Sequence, residues 1–343
     1  MRILYLGVKT GTCIQRAEAL KRIGHEVIHV DPAKYVPTER WTKKFHWETG
    51  GLLIHKKVGV KTLAEIHSVS PNPKFDVAWV DGGRYVGGPL IEQLKTISGR
   101  VVNYNIDDPF GGRDRYSWST YLRYLKHYDL LAVVRKVNVE EAFKRGAKDV
   151  IFRHMTCDEV AHAPRALTAD DYQKLGTDVL FVGTWMEDRG TFMNQLISLG
   201  VPLSIYGSRW ERAKEWSQLK PYWKGTHLGD PDTYCKTLQC SKVSIGLLSK
   251  GNRDMHTTRS SEIPALGVLL CAERTAEHSE MYDEGSEAVF WKDATECAKV
   301  CHDLLANDER RKDIAARGRL KVLKNQTYNE PAVAAILDRL FKK

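Results

Sequence analysis

The chain is poor in the features that would assign it quickly. Its seven cysteines, Cys13, Cys157, Cys235, Cys240, Cys271, Cys297 and Cys301, form no C-x-x-C. Cys297 and Cys301 stand one helical turn apart, but no His or Cys pair completes a zinc set, so reduced structural thiols are expected. No apolar run approaches the length of a membrane span. Met1–Gly7 reads as a short strand and not a leader, because no long apolar region or small-residue cleavage site follows it, and a cytoplasmic location is expected. The spacing Gly7…Gly11 is not G-x-G-x-x-G, which argues against a dinucleotide-dependent oxidoreductase. The 52 Lys and Arg exceed the 43 Asp and Glu by nine, yet they are dispersed, in pairs such as Lys43-Lys44 and Lys56-Lys57. Without a stripe interleaved with aromatics, no nucleic-acid partner is expected. The positive balance suits phosphorylated small molecules and leaves open a peripheral contact with an anionic membrane surface at its inner face.

What is present is alternation. With 343 residues, 42% of them hydrophobic, the chain suits two globular domains. Strand-like runs at Ile3–Gly7, His25–Val30, Asp76–Asp81, Arg100–Ile106, Leu130–Val134 and Val150–Arg153 alternate with helical patterns at Gln15–Ile23, Pro89–Ile97, Tyr116–His127 and Val139–Arg145. Val58–Ile66 reads as a strand fragment and a helix. This order predicts an α/β fold with a parallel sheet. His154–Thr168 reads as a polar connection, after which a second α/β series begins. The expected division is a first domain over 1–158, a second over 159–325, and a helix in 326–343 that packs back on the first.

In open sheets of this kind ligands bind outside the strand carboxyl ends, which nominates Thr10, Gly11, Thr12, Asp81 and Gly82 in the first half. In the second half the same rule nominates Gly183, Arg189, Tyr206, Gly207 and the stretch from Lys250 to Glu262. There the strand-like Val243–Leu248 leads through a polar loop into a helix closing on Gly267, a layout suited to an anion. Asp254 and Glu262 lie in this stretch with His256, Thr257, Thr258 and Arg259 between them. A carboxylate one turn into the helix can hold a ribose diol. Asp107 and Asp108, ending a buried strand, are candidate bases, with Asp81 and His154 as alternatives. Asp before Pro also forms turns.

Three stretches resemble the group-one glycosyltransferase domain in its spore-maturation (CgeB-like) version: Asp178–Gly183 with Arg189, Gly200–Gly207 with Trp210, and Thr258–Gly267, which is similar to R-x-F-E-A-x-A-x-G. The tail, Asp293 through Gly318, resembles the closing helices, and Leu20–Val27 and Asn105–Pro109 the matching first domain. The resemblance implies a GT-B fold, two Rossmann-like doubly wound domains facing a central cleft. It also implies transfer of a sugar from a nucleotide-sugar donor to a glycan, lipid-linked or protein acceptor, with neither metal nor cofactor. Glu262 falls where the family holds the donor ribose, and Asp254 where retaining relatives place a glutamate. Ser261-Glu262-Ile263-Pro264 departs from the family pattern, and Pro264 is expected in the helix's first turn. With no metal, cations must neutralise the leaving diphosphate, and Arg259, Lys250, Arg189 and His256 are the candidates. The competing expectation is a nucleotide-sugar-binding protein that keeps the fold without catalysis.

Overall fold

A computed structural model describes residues 1–226, 228 and 230–342. It divides into two compact units. The first comprises Met1–His154, Lys250–Arg253 and Asn329–Lys343, and the second Met155–Ser249 and Asp254–Tyr328. Lys343, the last residue of the expected terminal segment, lies outside the described residues.

The first unit is built on β1 (Arg2–Leu6), β2 (Glu26–Val30), β3 (Phe75–Asp81), β4 (Ser98–Asn105), β5 (Leu130–Val133) and β6 (Val150–Phe152). They form one sheet in the order β2-β1-β3-β4-β5-β6, with every pairing parallel. Ile3–Leu6 and Val77–Val80 are buried throughout, as strands covered on both faces must be. The chain leaves β1 toward β2 and returns on the other side as β3, so the strand order reverses between β1 and β3. The terminal helix Asn329–Phe341 packs on helix Gly11–Arg22. Glu330 accepts from Arg22 at 2.5 Å, and Arg339 donates twice to Asp149.

Two local expectations change here, and one helix is added. Val58–Ile66 holds no strand, for it lies within helix His55–Val69, whose buried Val58, Thr62 and Ile66 recur every four residues. Tyr116–His127 is not one helix but three short turns, Arg115–Trp118, Ser119–Tyr124 and Leu125–His127. Burying Trp118, Tyr121 and Leu125 together takes precedence over a continuous ladder. A helix over Arg40–Glu48 had no clear signal in the sequence.

The second unit repeats the plan with β7 (Thr177–Val182), β8 (Leu203–Tyr206), β9 (Trp223–Gly225), β10 (Ser241–Gly246), β11 (Leu269–Glu273) and β12 (Val289–Trp291). The order is β12-β11-β10-β7-β8-β9, all parallel. Its reversal lies between β7 and β10. The polar connection after His154 is not a slack tether. Met155, Thr156, Cys157, Asp158 and His162 are buried in this unit, and the Cys157 amide donates to the Thr327 carbonyl. Pro264 lies in the last turn of the seven-residue helix Arg259–Ala265, not its first. The helix closes there on Gly267, whose φ of +75° suits a left-handed cap. Among the described residues no helix is long and apolar enough to cross a membrane.

Candidate functional site

The second unit gathers its candidates at the carboxyl ends of β7, β8 and β10. Gly183 and Gly207 end the first two strands and lock together: a Cβ on Gly207 would stand 1.9 Å from the Gly183 carbonyl oxygen, and its φ is +140°. Only glycine fits this approach. Trp210 is buried and donates its indole N–H to Gly183, so it serves packing. Tyr206, half-buried at the end of β8, has its hydroxyl pKa raised by burial.

Arg189 spans the reversal point. One terminal nitrogen donates to the Thr184 carbonyl at 2.7 Å, the other to Leu248 at 3.2 Å and Leu247 at 3.4 Å. It thereby ties the loop after β7 to the loop after β10. Burial first, then repulsion from Arg259, lowers its pKa to about 10, while Asp254 and Asp188 pull upward. Arg259 is thus close enough to disfavour the Arg189 charge, while its own charge is held by Glu262. In each, the Nε–H is buried and finds no hydrogen-bond partner among the described residues. Buried N–H groups are almost always satisfied, and two in adjacent like charges mark a place that an anion would complete.

Around Arg259 lies a compact polar cluster. Arg259 pairs with Glu262 one turn on, and its guanidinium sits 5.0 Å from the centre of the Tyr234 ring. The Tyr234 hydroxyl donates to Glu262 at 2.7 Å. His162 accepts from the Asp158 amide through Nδ1, which puts the proton on Nε2, 3.6 Å from the other Glu262 oxygen. Burial opposes the charge on Glu262, but Arg259, His162 and Tyr234 outweigh it and hold the carboxyl below its usual range. His162 and Tyr234 carried no sequence signal: one sits in the polar connection, the other in an ordinary amphipathic helix, Pro231–Gln239.

Other candidates have different work. His256 is buried, with Nε2 accepting from the Met155 amide at 2.7 Å and Nδ1 donating to Glu277 at 2.5 Å. Both ring nitrogens are engaged, so His256 braces the site and does not meet a diphosphate. The Thr257 amide donates to Ser260, whose hydroxyl meets His278, which in turn donates to the Glu273 carbonyl. Burial lowers the His278 pKa to about 4, so this chain stays neutral and fixes the helix start. Thr258 caps that start without a side-chain bond. Asp254, buried, accepts from the Ser249 amide and closes the loop. Lys250 is grouped with the first unit, apart from the other donor-side candidates read from the sequence.

In the first unit a cavity of about 410 Å³ opens at the carboxyl ends of β1 and β3, where the strand order reverses. Thr10, Gly11, Thr12, Asp81, Gly82 and Asp107 all line it. Asp81 is neutralised there by the buried Arg16, which donates at 2.7 and 3.0 Å, and it also accepts from Tyr5 at 2.5 Å. Asp107 accepts no hydrogen bond on its carboxylate among the described residues. Burial raises its pKa against the pull of Arg84 and Arg135. Asp108 does not line the cavity. It accepts from Arg253 at 2.7 and 2.8 Å, from Asn138, and from the Phe110 and Gly111 amides. A larger recess of about 1190 Å³ lies at the amino ends of β7, β10 and β11, the wrong end of the sheet for a ligand of this fold.

One group among the described residues has donor atoms placed for a metal ion: Cys271 of β11 joins Cys297 and Cys301, the three sulfurs within 4.8 Å of one another. All three are enclosed in the apolar core beside Val243, Ile245 and Leu304. The strand neighbour was invisible in the spacing.

Residues 189–337 match the sequence model of a family described as glycosyl transferase-like. No curated protein matches the chain in sequence. Solved structures share its fold along the whole length. Sucrose-phosphate synthase from Thermosynechococcus elongatus superposes with a TM-score of 0.64 at 14% identity, covering 100% of this chain and 98% of that one. Anabaena HepE, in complex with UDP and glucose, gives 0.63 at 12% identity, covering 99% and 100%. A glycosyltransferase from Rickettsia africae gives 0.64 at 14%, covering 100% and 99%. At such identities the likeness establishes the fold. The chain therefore has the GT-B fold of two Rossmann-like domains, and residues 189–337, most of them in its second unit, are similar to a glycosyl transferase-like family.

Proposed function

We propose that this protein transfers a glycosyl group from a nucleoside-diphosphate sugar, with UDP as the first nucleotide to test, and that it neutralises the leaving diphosphate with side chains and no metal ion. The observation that carries this reading is the pair Arg189 and Arg259 at the reversal point of the second sheet, the second disfavouring the charge of the first and each with a buried Nε–H that has no acceptor among the described residues. Negative charge on the diphosphate grows as the glycosidic C–O bond breaks, so cations fixed beforehand stabilise the transition state more than the bound donor. Arg189 is fixed by three carbonyls and Arg259 by Glu262 and Tyr234. Glu262 then holds the ribose diol. The complex of HepE with UDP and glucose supports the choice of nucleotide.

The acceptor belongs to the cavity of the first unit. An acceptor hydroxyl attacking the anomeric carbon must give up its proton. Asp31 and Asp107 both line the cavity without a hydrogen-bonded cation among the described residues. Asp31 is taken up in capping a turn through the Ala33 amide, whereas Asp107 is not, and its raised pKa suits a general base. Asp108 and Asp81 are neutralised by Arg253 and Arg16. The test is a panel of nucleotide sugars incubated with the protein in the presence of EDTA. Release of nucleoside diphosphate from one of them is expected. Binding without any turnover, across acceptors from glycans to lipid-linked sugars, would instead describe a non-catalytic binder.

A further inference from the structure

We propose that helix Arg40–Glu48, the segment following it to Lys61 and the Tyr116 turn form a docking surface for an anionic lipid bilayer, and that the acceptor taken by the adjacent cavity is lipid-anchored. The second clause rests on the acceptor reading above; the first does not.

The helix is nine residues long and buries only His46. So short a helix is marginal in water unless it packs an apolar face, yet its apolar side chains point outward. Trp41 is 75% exposed and Phe45, one turn on, is exposed with it. Leu53 at 72% and Tyr116 at 76% extend the surface, and the helix packs beside the Arg115–Trp118 turn. Gly50 presses that turn so closely that a Cβ would stand 2.6 Å from the Tyr116 carbonyl oxygen.

Charge selects the occupant. Between positions 40 and 61 stand Arg40, Lys43, Lys44, Lys56, Lys57 and Lys61 against a single acid, Glu48, which pairs with Lys44. Among the described residues no ion pair reaches Lys43, Lys56 or Lys57. Tryptophan and phenylalanine tips set among lysines are the signature of a helix lying in the headgroup layer of an anionic leaflet. Exposed Leu53 and Val60 extend the patch beyond its aromatic rings with aliphatic surface, which suits a hydrocarbon boundary and adds nothing to stacking on bases.

The surface is continuous with the cavity. Arg84 lies over Trp47 of the helix at 5.1 Å and over Trp118 at 3.8 Å, and Arg84 and Trp118 both line the cavity. Tyr85, another lining residue, packs on Gly51. A headgroup entering the cavity would therefore have its hydrocarbon anchor beside exposed Trp41 and Leu53.

The experiment is co-sedimentation with vesicles of phosphatidylcholine alone and with roughly 30% phosphatidylglycerol. The protein is expected to bind the anionic vesicles only, more weakly as salt is raised. Two triple variants, Trp41→Ser/Phe45→Ser/Leu53→Ser and Lys43→Glu/Lys56→Glu/Lys57→Glu, should each lose about tenfold or more in vesicle binding. UDP affinity, read by calorimetry on the same samples, reports that they remain folded and should not change. Failure of the unaltered protein to bind anionic vesicles, or binding by both variants at its level, overturns the proposal. So does a dimer that the serine variant dissociates, which would make a second copy the occupant. Vesicle binding in a protein that releases no nucleotide from any donor keeps the surface and defeats the transferase reading. Equal transfer by both variants to a lipid-linked acceptor in vesicles defeats the anchored-acceptor clause.

Discussion

Arg253 donates to both oxygens of Asp108, at 2.7 and 2.8 Å, and closes the same grip on Glu141 at 2.8 and 2.9 Å. Burial alone would raise the Asp108 pKa, but Arg253 and Asn138 outweigh it and hold the carboxyl below its usual range. Glu141 is held down in the same way by Arg253. A carboxylate so occupied is a poor base and a good strut. Asp108→Asn is therefore expected to lower stability by about 1–3 kcal/mol and to leave donor turnover close to normal once the protein is folded. Thermal melting beside steady-state kinetics decides it, and a normal melt with lost turnover would return Asp108 to the chemistry.

The same grip fixes a pH dependence. Folded-state pKa values below the unfolded ones mean that Asp108 and Glu141 add stability that is complete above the ordinary carboxylate range, about pH 4. That stability drains away as pH falls through the lowered values. Arg253→Ala should flatten the acid limb of the melting profile below about pH 5; an unchanged acid limb would show that these carboxylates are not linked to folding.

Asp107 should behave in the opposite way. Burial raises its pKa, so kcat/KM should climb with pH through a value above the ordinary carboxylate range as the base loses its proton. Asp107→Asn should reduce kcat by about 10²-fold or more and remove that limb while UDP still binds. If the variant keeps both rate and limb, the reaction uses another base or needs none.

Glu262 joins Tyr234, Arg259 and His162. Glu262→Gln should weaken nucleotide binding by about 1.5–3 kcal/mol, measured by titration calorimetry. His162→Phe, which removes the Nε2–H facing the same carboxylate, should weaken it less. Unchanged affinity in both would take Glu262 out of the donor site.

Much of this was readable beforehand. Val77–Val80 and Ile3–Leu6 are unbroken apolar runs, and such runs between helical patterns can only be parallel strands covered on both faces. Gly207 and Gly267 marked strand and helix ends because their backbones enter the left-handed region. What could not be read was which polar groups meet. Arg253 and Asp108 are 145 positions apart, and no local pattern announces such a pair. His256 looked like a ligand because it stands in the right stretch, yet its partners, Met155 and Glu277, come from elsewhere in the fold. The helix Arg40–Glu48 was missed for the related reason that its apolar residues face outward and show no buried face.

The central claim is that Arg189 and Arg259 hold a diphosphate without a metal. Calorimetric titration in EDTA, with UDP, GDP, CDP and dTDP beside their monophosphates, tests it directly. One diphosphate should bind at least about tenfold more tightly than its monophosphate, and Arg259→Lys, which keeps a charge beside Glu262 but loses the forked donor, should close most of that gap. Equal affinity for diphosphate and monophosphate, or a gap untouched by Arg259→Lys, would contradict the account.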